Sequence, residues 1–460
     1  MSVKSIASVH CPAFLKPTFG RIENSPIGYR LARGVFWSLA GVLASRGLMF
    51  IATVFVARIL GRTVYGQLGM VQSTVSMFGL FAGFGMGLTA TKYVAEYRET
   101  DRPRAGRIIR LTEMFAVATA GLMALALLAF APWLANRTLN APHLTSVLRI
   151  GTLILFISAL NGAQAGALAG FEAFKTIAGV NLLVGLISFP LLVGGAYFGG
   201  LSGSVWALVV NLGASWVLNQ IALHKEARRY RVPLALGNSD GGDLPVLWRF
   251  SLPAVLAGSM VAPVDWACNA MLVNRPHGYG EMGVYGAANQ LYSMLLFLPT
   301  LFGQVVLPIL SERLGHKDVR RSTQTMLVAM KANALCVVPF IVVASILSPY
   351  IMRLFGEGFK DGWPTLIVVL WTAALYAIQA PVGQIIQASG KMWTGFFMNL
   401  GWATAFVLGT FVLVKDGAFG LAGARGIAYL LHSVWIFLFA RYLLGVGKIR
   451  PAKQVDAESG

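Results

Sequence analysis

The sequence predicts an all-α integral membrane protein, with about 12 transmembrane helices in two pseudo-repeated six-helix lobes around a central cavity. Three observations lead there. The first is composition: of 460 residues, 56% are hydrophobic and 12% charged, with a mean hydropathy of +0.68. A soluble domain carries about 25% charged residues. The second is the recurrence of apolar runs long enough to cross a hydrocarbon core, which needs roughly 20 residues. The third is an internal repeat.

The repeat is seen by shifting the chain 217 positions. Leu39-Ala40-Gly41 then falls on Leu256-Ala257-Gly258, Val56 on Val273, Arg58 on Arg275 and Gly61 on Gly278. Further on, Gly66 falls on Gly283, Gly69 on Gly286, Gln72 on Asn289 and Ser76-Met77 on Ser293-Met294, with no gap from Leu39 to Met77. Apolar composition supplies Leu and Ala matches by chance. The arginine and the spaced glycines are harder to produce that way. Weak internal symmetry of this kind marks a two-lobed transporter fold.

In chain order, the first span runs from about Val35 to Ala57 and carries one charge, Arg46. A tight glycine-rich turn leads to the second, about Tyr65 to Ala90, which contains Gln67 and Gln72. The first half continues with Thr112–Leu134, Leu148–Gly170, Ile177–Phe198 and Ser202–His224. The second half gives Phe250–Val273, Val284–Leu310, Met326–Pro349, Trp363–Ala388, Trp393–Val414 and Phe419–Leu443. The runs are continuously apolar instead of alternating, so they are helices and not barrel strands. The longest connector holds Pro233, Gly237, Asn238, Gly241, Gly242 and Pro245 and marks the boundary between lobes. The organisation expected is a tail over 1–30, an N-lobe over 31–224, a linker over 225–248, a C-lobe over 249–444 and a tail over 445–460.

The net charge of +19 would suggest nucleic acid in a soluble protein, but its distribution assigns it to topology. With the N-terminus inside, the inner segments hold 26 Lys and Arg residues and the outer loops hold 8. This bias places both termini, the tails and the linker in the cytoplasm, and implies no nucleic-acid partner. The basic loops also suit the anionic headgroups of membrane lipids. The first 30 residues show no signal-peptide pattern, since Pro12, Pro17 and Pro26 interrupt any apolar run.

Several classes of chemistry find no support. Cys11, Cys268 and Cys336 are too far apart to form a metal-ligand pattern, and no metal site or cofactor is expected. There is no Walker-type phosphate loop and no HExxH. The outer loops are short, leaving no room for a catalytic domain, so an enzyme is not expected.

One local pattern carries a family resemblance. Ala57-Arg58-Ile59-Leu60-Gly61, then Tyr65-Gly66, Phe84-Gly85-Met86-Gly87 and Tyr93-Val94-Ala95 resemble the opening of the bacterial polysaccharide (O-antigen type) flippases. These belong to the multidrug, oligosaccharidyl-lipid and polysaccharide exporter superfamily. Beyond this hairpin the likeness rests on hydropathy and repeat spacing, over about Leu31 to Leu444. The resemblance implies alternating access and a polyprenyl-pyrophosphate-linked oligosaccharide as cargo. That cargo would move from the cytoplasmic to the outer face of the bacterial inner membrane for O-antigen, capsule or exopolysaccharide assembly. It also implies glycan polymerase and other assembly proteins as partners. A multidrug or small-solute antiporter of the same superfamily stays open, as does a non-transporting anchor for glycan-assembly enzymes.

In that family the first and seventh helices line the cavity, which directs attention to Arg46 and Asp265. In the repeat register Arg46 faces Pro263, two residues from Asp265, so the two charges are expected at similar depth. A mid-span arginine costs about 2.5–3.5 kcal/mol to insert and should face protein or water. Arg46 is therefore assigned to a phosphate of the carrier. Asp265 is assigned to pairing with Arg46 or to taking a coupling ion, H+ or Na+. A fixed salt bridge between the lobes would use the same two residues. Gln72, Asn289, Asn161, Gln164 and Gln384 are candidate sugar contacts, although Asn and Gln also bind helices together. Gln72 and Asn289 gain weight from their equivalent repeat positions. Pro253 and Pro263 offer a bend in the seventh helix. Glu113, Lys331, Arg425 and His432, near span ends or on late spans, receive no role.

Overall fold

The computed structural model describes residues 26–234, 260–315, 319–389 and 392–443, with side chains from Ser45 onward except at 304, 305, 308, 309, 312, 315, 319, 387, 392 and 443. Among these residues every regular element is a helix. Residues 1–25 of the expected N-terminal tail, the C-terminal tail, most of the linker, Pro253 and the start of the seventh span lie outside the described residues, while residues 26–30 of the N-terminal tail are helical.

Helix α1 (Pro26–Gly83) is two arms joined at Gly61, whose φ of 72° and ψ of 169° break the helix. Glycine tolerates that conformation without a Cβ penalty, so the turn expected between the first two spans is a sharp bend at one residue. The second arm ends at Phe84 and Gly85, both with positive φ, and α2 (Met86–Tyr97) continues from there. Helix α3 (Arg102–Trp133) starts at the Asp101 cap, whose carboxylate accepts from the Arg104 amide at 3.0 Å. After a π turn come α4 (Leu144–Gly170) and α5 (Phe174–Arg229), the latter broken at Gly200 with φ 54°. Helix α5 reaches Arg229, so residues 225–229 of the expected linker are helical.

The second half holds α6 (Val261–Val273), α7 (Gly278–Leu295), α8 (Phe297–Gly315) and α9 (Val319–Ile346). It continues with the short α10 (Ser348–Leu354), then α11 (Trp363–Ala388), α12 (Met392–Leu413) and α13 (Gly417–Leu443). The eighth span is thus split between α7 and α8. Pro263 lies near the start of the described part of α6.

Seven described helical stretches are long and apolar enough to cross a membrane. Three of them, Ser45–Tyr97, Phe174–Arg229 and Trp393–Tyr442, span 53, 56 and 50 residues, and each is broken at or near a glycine. One crossing needs only about 17–25 residues, so each has room for two. Large apolar side chains such as Leu122, Leu125, Phe198 and Phe411 stand exposed on the outer helix faces. In water that would be a liability, but it is what a hydrocarbon surround requires. The protein is a multi-span membrane protein.

The two ends of the bundle differ. At the Gly61 end the halves of the chain touch closely. A Cβ built on Gly66 would lie 1.8 Å from the Tyr279 carbonyl oxygen, and one on Gly283 would lie 2.1 Å from the Arg62 carbonyl oxygen. Gly66 and Gly283 are repeat mates, so the repeat meets itself here. Arg62 Nε donates to Gly280 O at 2.9 Å, and its guanidinium pairs with Glu281. Glu281 Oε2 in turn accepts from the Ala418 amide at 2.8 Å, capping the start of α13. Arg58 Nε reaches Leu354 O at 2.6 Å. At the Arg102 end the polar contacts of Arg98 and Arg110 stay within the first half.

A candidate cavity between the halves

Beneath the Gly61 end lies a cavity of about 280 Å³. It is built where the second arm of α1 faces α6, α7 and α13. From α1 it takes Tyr65, Gln72, Ser73 and Ser76; from α6, Asp265 and Asn269; from α7, Tyr285, Asn289 and Gln290; and from α13, Arg425. At about 1.5 Å per residue, Gln72 sits about 16 Å along its arm from Gly61 and Asn289 about 16 Å from Gly278. The register that aligns them in sequence therefore places them at one depth. Two hydrogen bonds hold α6 against α1: Trp266 Nε1 donates to Thr74 Oγ1 at 3.0 Å, and Asn269 Nδ2 to Ser73 Oγ at 3.1 Å.

Arg425 is the feature the sequence reading passed over. It is buried, and its Nη1 donates to Asn289 Oδ1 at 2.9 Å and to the Tyr285 hydroxyl at 3.1 Å. The guanidinium carbon lies 4.3 Å from the Tyr292 ring centroid, a cation–π contact that offsets part of its desolvation. Its Nε is buried with no hydrogen-bond partner. Asp265 lines the same cavity and feels the charge of Arg425, with no ion pair between them. The signal was available: Arg425 is a charge inside an apolar span, which is costly and functional by default. Its position near the span's start in the linear sequence hid its depth.

The other candidates go elsewhere. Arg46 does not line this cavity, and among the described residues it forms no ion pair with Asp265. It is exposed, with its guanidinium 4.3 Å from the Phe297 ring centroid, so it touches α8 from the first arm of α1. Asn161 donates to Leu212 O at 3.0 Å and accepts from Asn219 at 3.0 Å, while Gln164 bonds Gln220. Both lie at the packed face between α4 and α5. Gln384 packs against Gly303 of α8, with its Oε1 unpartnered.

A smaller pocket of about 170 Å³ adjoins the cavity through the shared residues Tyr65, Gln72 and Gln290. Its other walls are mostly apolar and include Met49, Val56, Leu68, Leu192 and Leu208. The whole is an amphipathic space, charged on the side of the second half and greasy on the side of the first. No cluster of residues fit to hold a metal occurs among the described residues.

Comparison with known proteins fits this geometry. A family model described as "Polysaccharide biosynthesis protein" matches residues 31–313, more than half the chain. The chain belongs to that family. A second model, described as MatE, matches residues 253–412. Among relatives, the "EPS I polysaccharide export inner membrane protein EpsE" of Ralstonia nicotianae is 24% identical, covering 87% of this chain and 90% of its own. The "Lipid III flippase" of Escherichia coli is 23% identical, covering 63% of this chain and 70% of its own. Among solved structures, an inward-facing multidrug resistance MATE family transporter of the MOP superfamily superposes with a TM-score of 0.72. It is 14% identical and covers 91% of this chain and 99% of its own, so it attests the fold.

Proposed function

We propose that this family member is a flippase that carries a polyprenyl-pyrophosphate-linked oligosaccharide across the bacterial inner membrane, from the cytoplasmic to the outer face. It does so with twelve spans in two six-helix lobes, both termini cytoplasmic, the Gly61 end outward and the Arg102 end inward. The observation that carries the reading is the amphipathic cavity at mid-depth in a chain whose relatives are named for polysaccharide export and lipid III flipping. A sugar needs side-chain donors and acceptors, which Gln72, Asn289 and Gln290 supply. A phosphate needs a cation, and the under-bonded guanidinium of Arg425 and the exposed one of Arg46 both suit it. Driving force is available without ATP, because an outward-moving anion gains about 2.3 kcal/mol per charge per 100 mV. Asp265, which lines the cavity, would take H+ or Na+ should an ion be coupled.

The MatE match and the MATE-like fold favour a small-solute antiporter as the second reading. A cationic drug would meet Arg425 beside Asp265, which disfavours it. Sidedness decides between the two. Lipid-linked saccharide is labelled in spheroplasts of a deletion strain and of strains carrying wild type, Arg46→Ala, Arg425→Ala or Asp265→Ala at matched expression. Inward accumulation in the deletion strain supports the flippase. Unchanged sidedness with new sensitivity to cationic drugs would replace it with the antiporter.

A further inference from the structure

At the Arg102 end, well away from the central cavity, three chain segments bring four guanidiniums around one concavity of about 400 Å³. Arg98 comes from the end of α2, Arg102 from the first residue of α3, and Arg229 and Arg231 from the end of α5. Glu99 adds one acidic group to the lining. The inward bias of basic residues requires charge on these loops. It does not require four arginines from three segments to converge. Arg98 is paired with Glu172 and Glu99, and Arg229 with Glu226, which leaves the guanidiniums of Arg102 and Arg231 as the cations that an added anion would meet.

The floor of the concavity is fixed. Arg98 is only 12% exposed; it donates to Gly170 O at 3.0 Å and pairs with Glu172 at 2.7 Å. Its guanidinium faces the Tyr230 ring, which stacks on Phe171 at 5.3 Å. Arg231 is held at φ 54°, a conformation uncommon for a non-glycine residue, by the turn that ends α5. In that turn Arg231 N donates to Arg228 O at 3.1 Å and Val232 N to Ala227 O at 2.8 Å. Arg102 and Arg231 are both exposed, and neither guanidinium has a hydrogen-bond partner among the described residues. A glycine would sit at position 231 without strain, so an arginine there is unexplained by the turn itself.

The surroundings point to a lipid. The segment from Arg231 to Leu234, at most about 10 Å long, leads to a second groove, of about 460 Å³. That groove is lined by exposed Met114 and Val117 of α3 with Ala118 and Leu234, and has the Arg110–Glu113 pair at its edge. A polar, arginine-rich concavity beside an apolar groove matches a charged headgroup with its acyl chain. We propose that this end of the molecule binds the phosphate headgroup of an anionic phospholipid between Arg98, Arg102, Arg229 and Arg231, with an acyl chain lying over Met114 and Val117. The site is independent of the transport reading.

The test uses the full chain in detergent and reads melting and retained lipid by native mass spectrometry. Phosphatidylglycerol, phosphatidylcholine and inorganic phosphate are compared for wild type and for Arg102→Gln/Arg231→Asn, in which asparagine tolerates the positive φ. The expected result is stabilisation and retention with phosphatidylglycerol over phosphatidylcholine, weakened about tenfold or more in the double variant, since each lost charged hydrogen bond is worth about 1.5–3 kcal/mol. Equal binding by the variant would overturn the site. Stabilisation by inorganic phosphate equal to that by phosphatidylglycerol would overturn the lipid and leave a soluble phosphate ligand. Should the variant not fold, a photoactivatable phosphatidylglycerol on wild-type protein decides: headgroup-proximal label within 98–104 or 229–234 supports the site, and label confined to other segments refutes it.

Discussion

Substituting alanine for Gly66 tests whether the two halves of the chain are sealed at the Gly61 end by direct backbone contact. The new Cβ would lie 1.8 Å from Tyr279 O and 2.8 Å from Gly283 N, both backbone atoms that no rotamer change can move. Ordinary contact begins near 3.4 Å, so α7 must retreat by about 1.6 Å relative to α1. Overpacking of this kind costs about 1–3 kcal/mol. The cost falls on the arrangement in which the two glycines touch and disappears once this end opens. The equilibrium should therefore shift toward the open end by about 5–150-fold. The assay is thiol labelling of Ser73→Cys, a residue that lines the cavity, with Cys11, Cys268 and Cys336 replaced. An impermeant maleimide is applied to right-side-out and to inverted vesicles. Gly66→Ala should raise labelling from the face bearing Gly61 and lower it from the opposite face. Gly69→Ala, one turn along, is the control: its Cβ meets only the end of Met282, at 3.5 Å. Equal labelling rates in wild type and Gly66→Ala would refute the seal, and equal effects of Gly66→Ala and Gly69→Ala would refute the contact argument.

Three further outcomes follow from the same geometry. Arg425→Ala should lower the melting temperature in detergent by removing the cation that faces Asp265, and Arg425→Ala/Asp265→Asn should recover part of that loss, because the stranded carboxylate is gone; a double variant no more stable than the single would sink the coupling. The Arg62–Glu281 pair is partly exposed, so a double-mutant cycle on it should give only about 0.2–1 kcal/mol and shrink with added salt. Gln72→Ala should depress transport while leaving stability within about 0.5 kcal/mol, whereas Gln164→Ala, which strands Gln220 in a packed face, should cost about 1–3 kcal/mol. Transport at matched folded protein and melting curves on both variants separate the two roles.

Much of the architecture was legible because a bilayer imposes one-dimensional rules on a sequence. Helices must be apolar over a fixed length, so an all-helical, multi-span chain follows from runs of residues. Gly61 was readable as a turn since glycine between two such runs has little else to do. The cavity was legible only in part. Gln72 and Asn289 were picked out by the repeat, and they do share one cavity with Asp265. Asn161 and Gln164 look the same in sequence, yet they face α5, where Asn161 bonds Leu212 and Asn219 and Gln164 bonds Gln220. The side of a helix that faces a cavity is set by how α4 packs on α5, and apolar lengths carry no information on that. Arg46 and Asp265 illustrate the same limit, since equal depth along two helices does not bring their side chains together.

The repeat and the charges obey different rules, and the difference bears on mechanism. Gly66 and Gly283 occupy equivalent positions and meet, so the backbone keeps the symmetry at the Gly61 end. The chemical groups do not keep it. In the same register Asp265 corresponds to Leu48 and Arg46 to Pro263. Consequently the charged wall of the cavity belongs to α6, α7 and α13, while the adjoining pocket in the first half is lined by Met49, Leu192 and Leu208. A pair of like halves suits a rocking motion about a shared contact, because each half presents the same surface to the other. Unlike linings suit an amphiphile, which must be held by its polar part without surrounding its apolar part in charge. Symmetric contacts with an asymmetric interior are therefore what a carrier of a sugar-bearing lipid requires, and a carrier of a compact cation would have little use for the second.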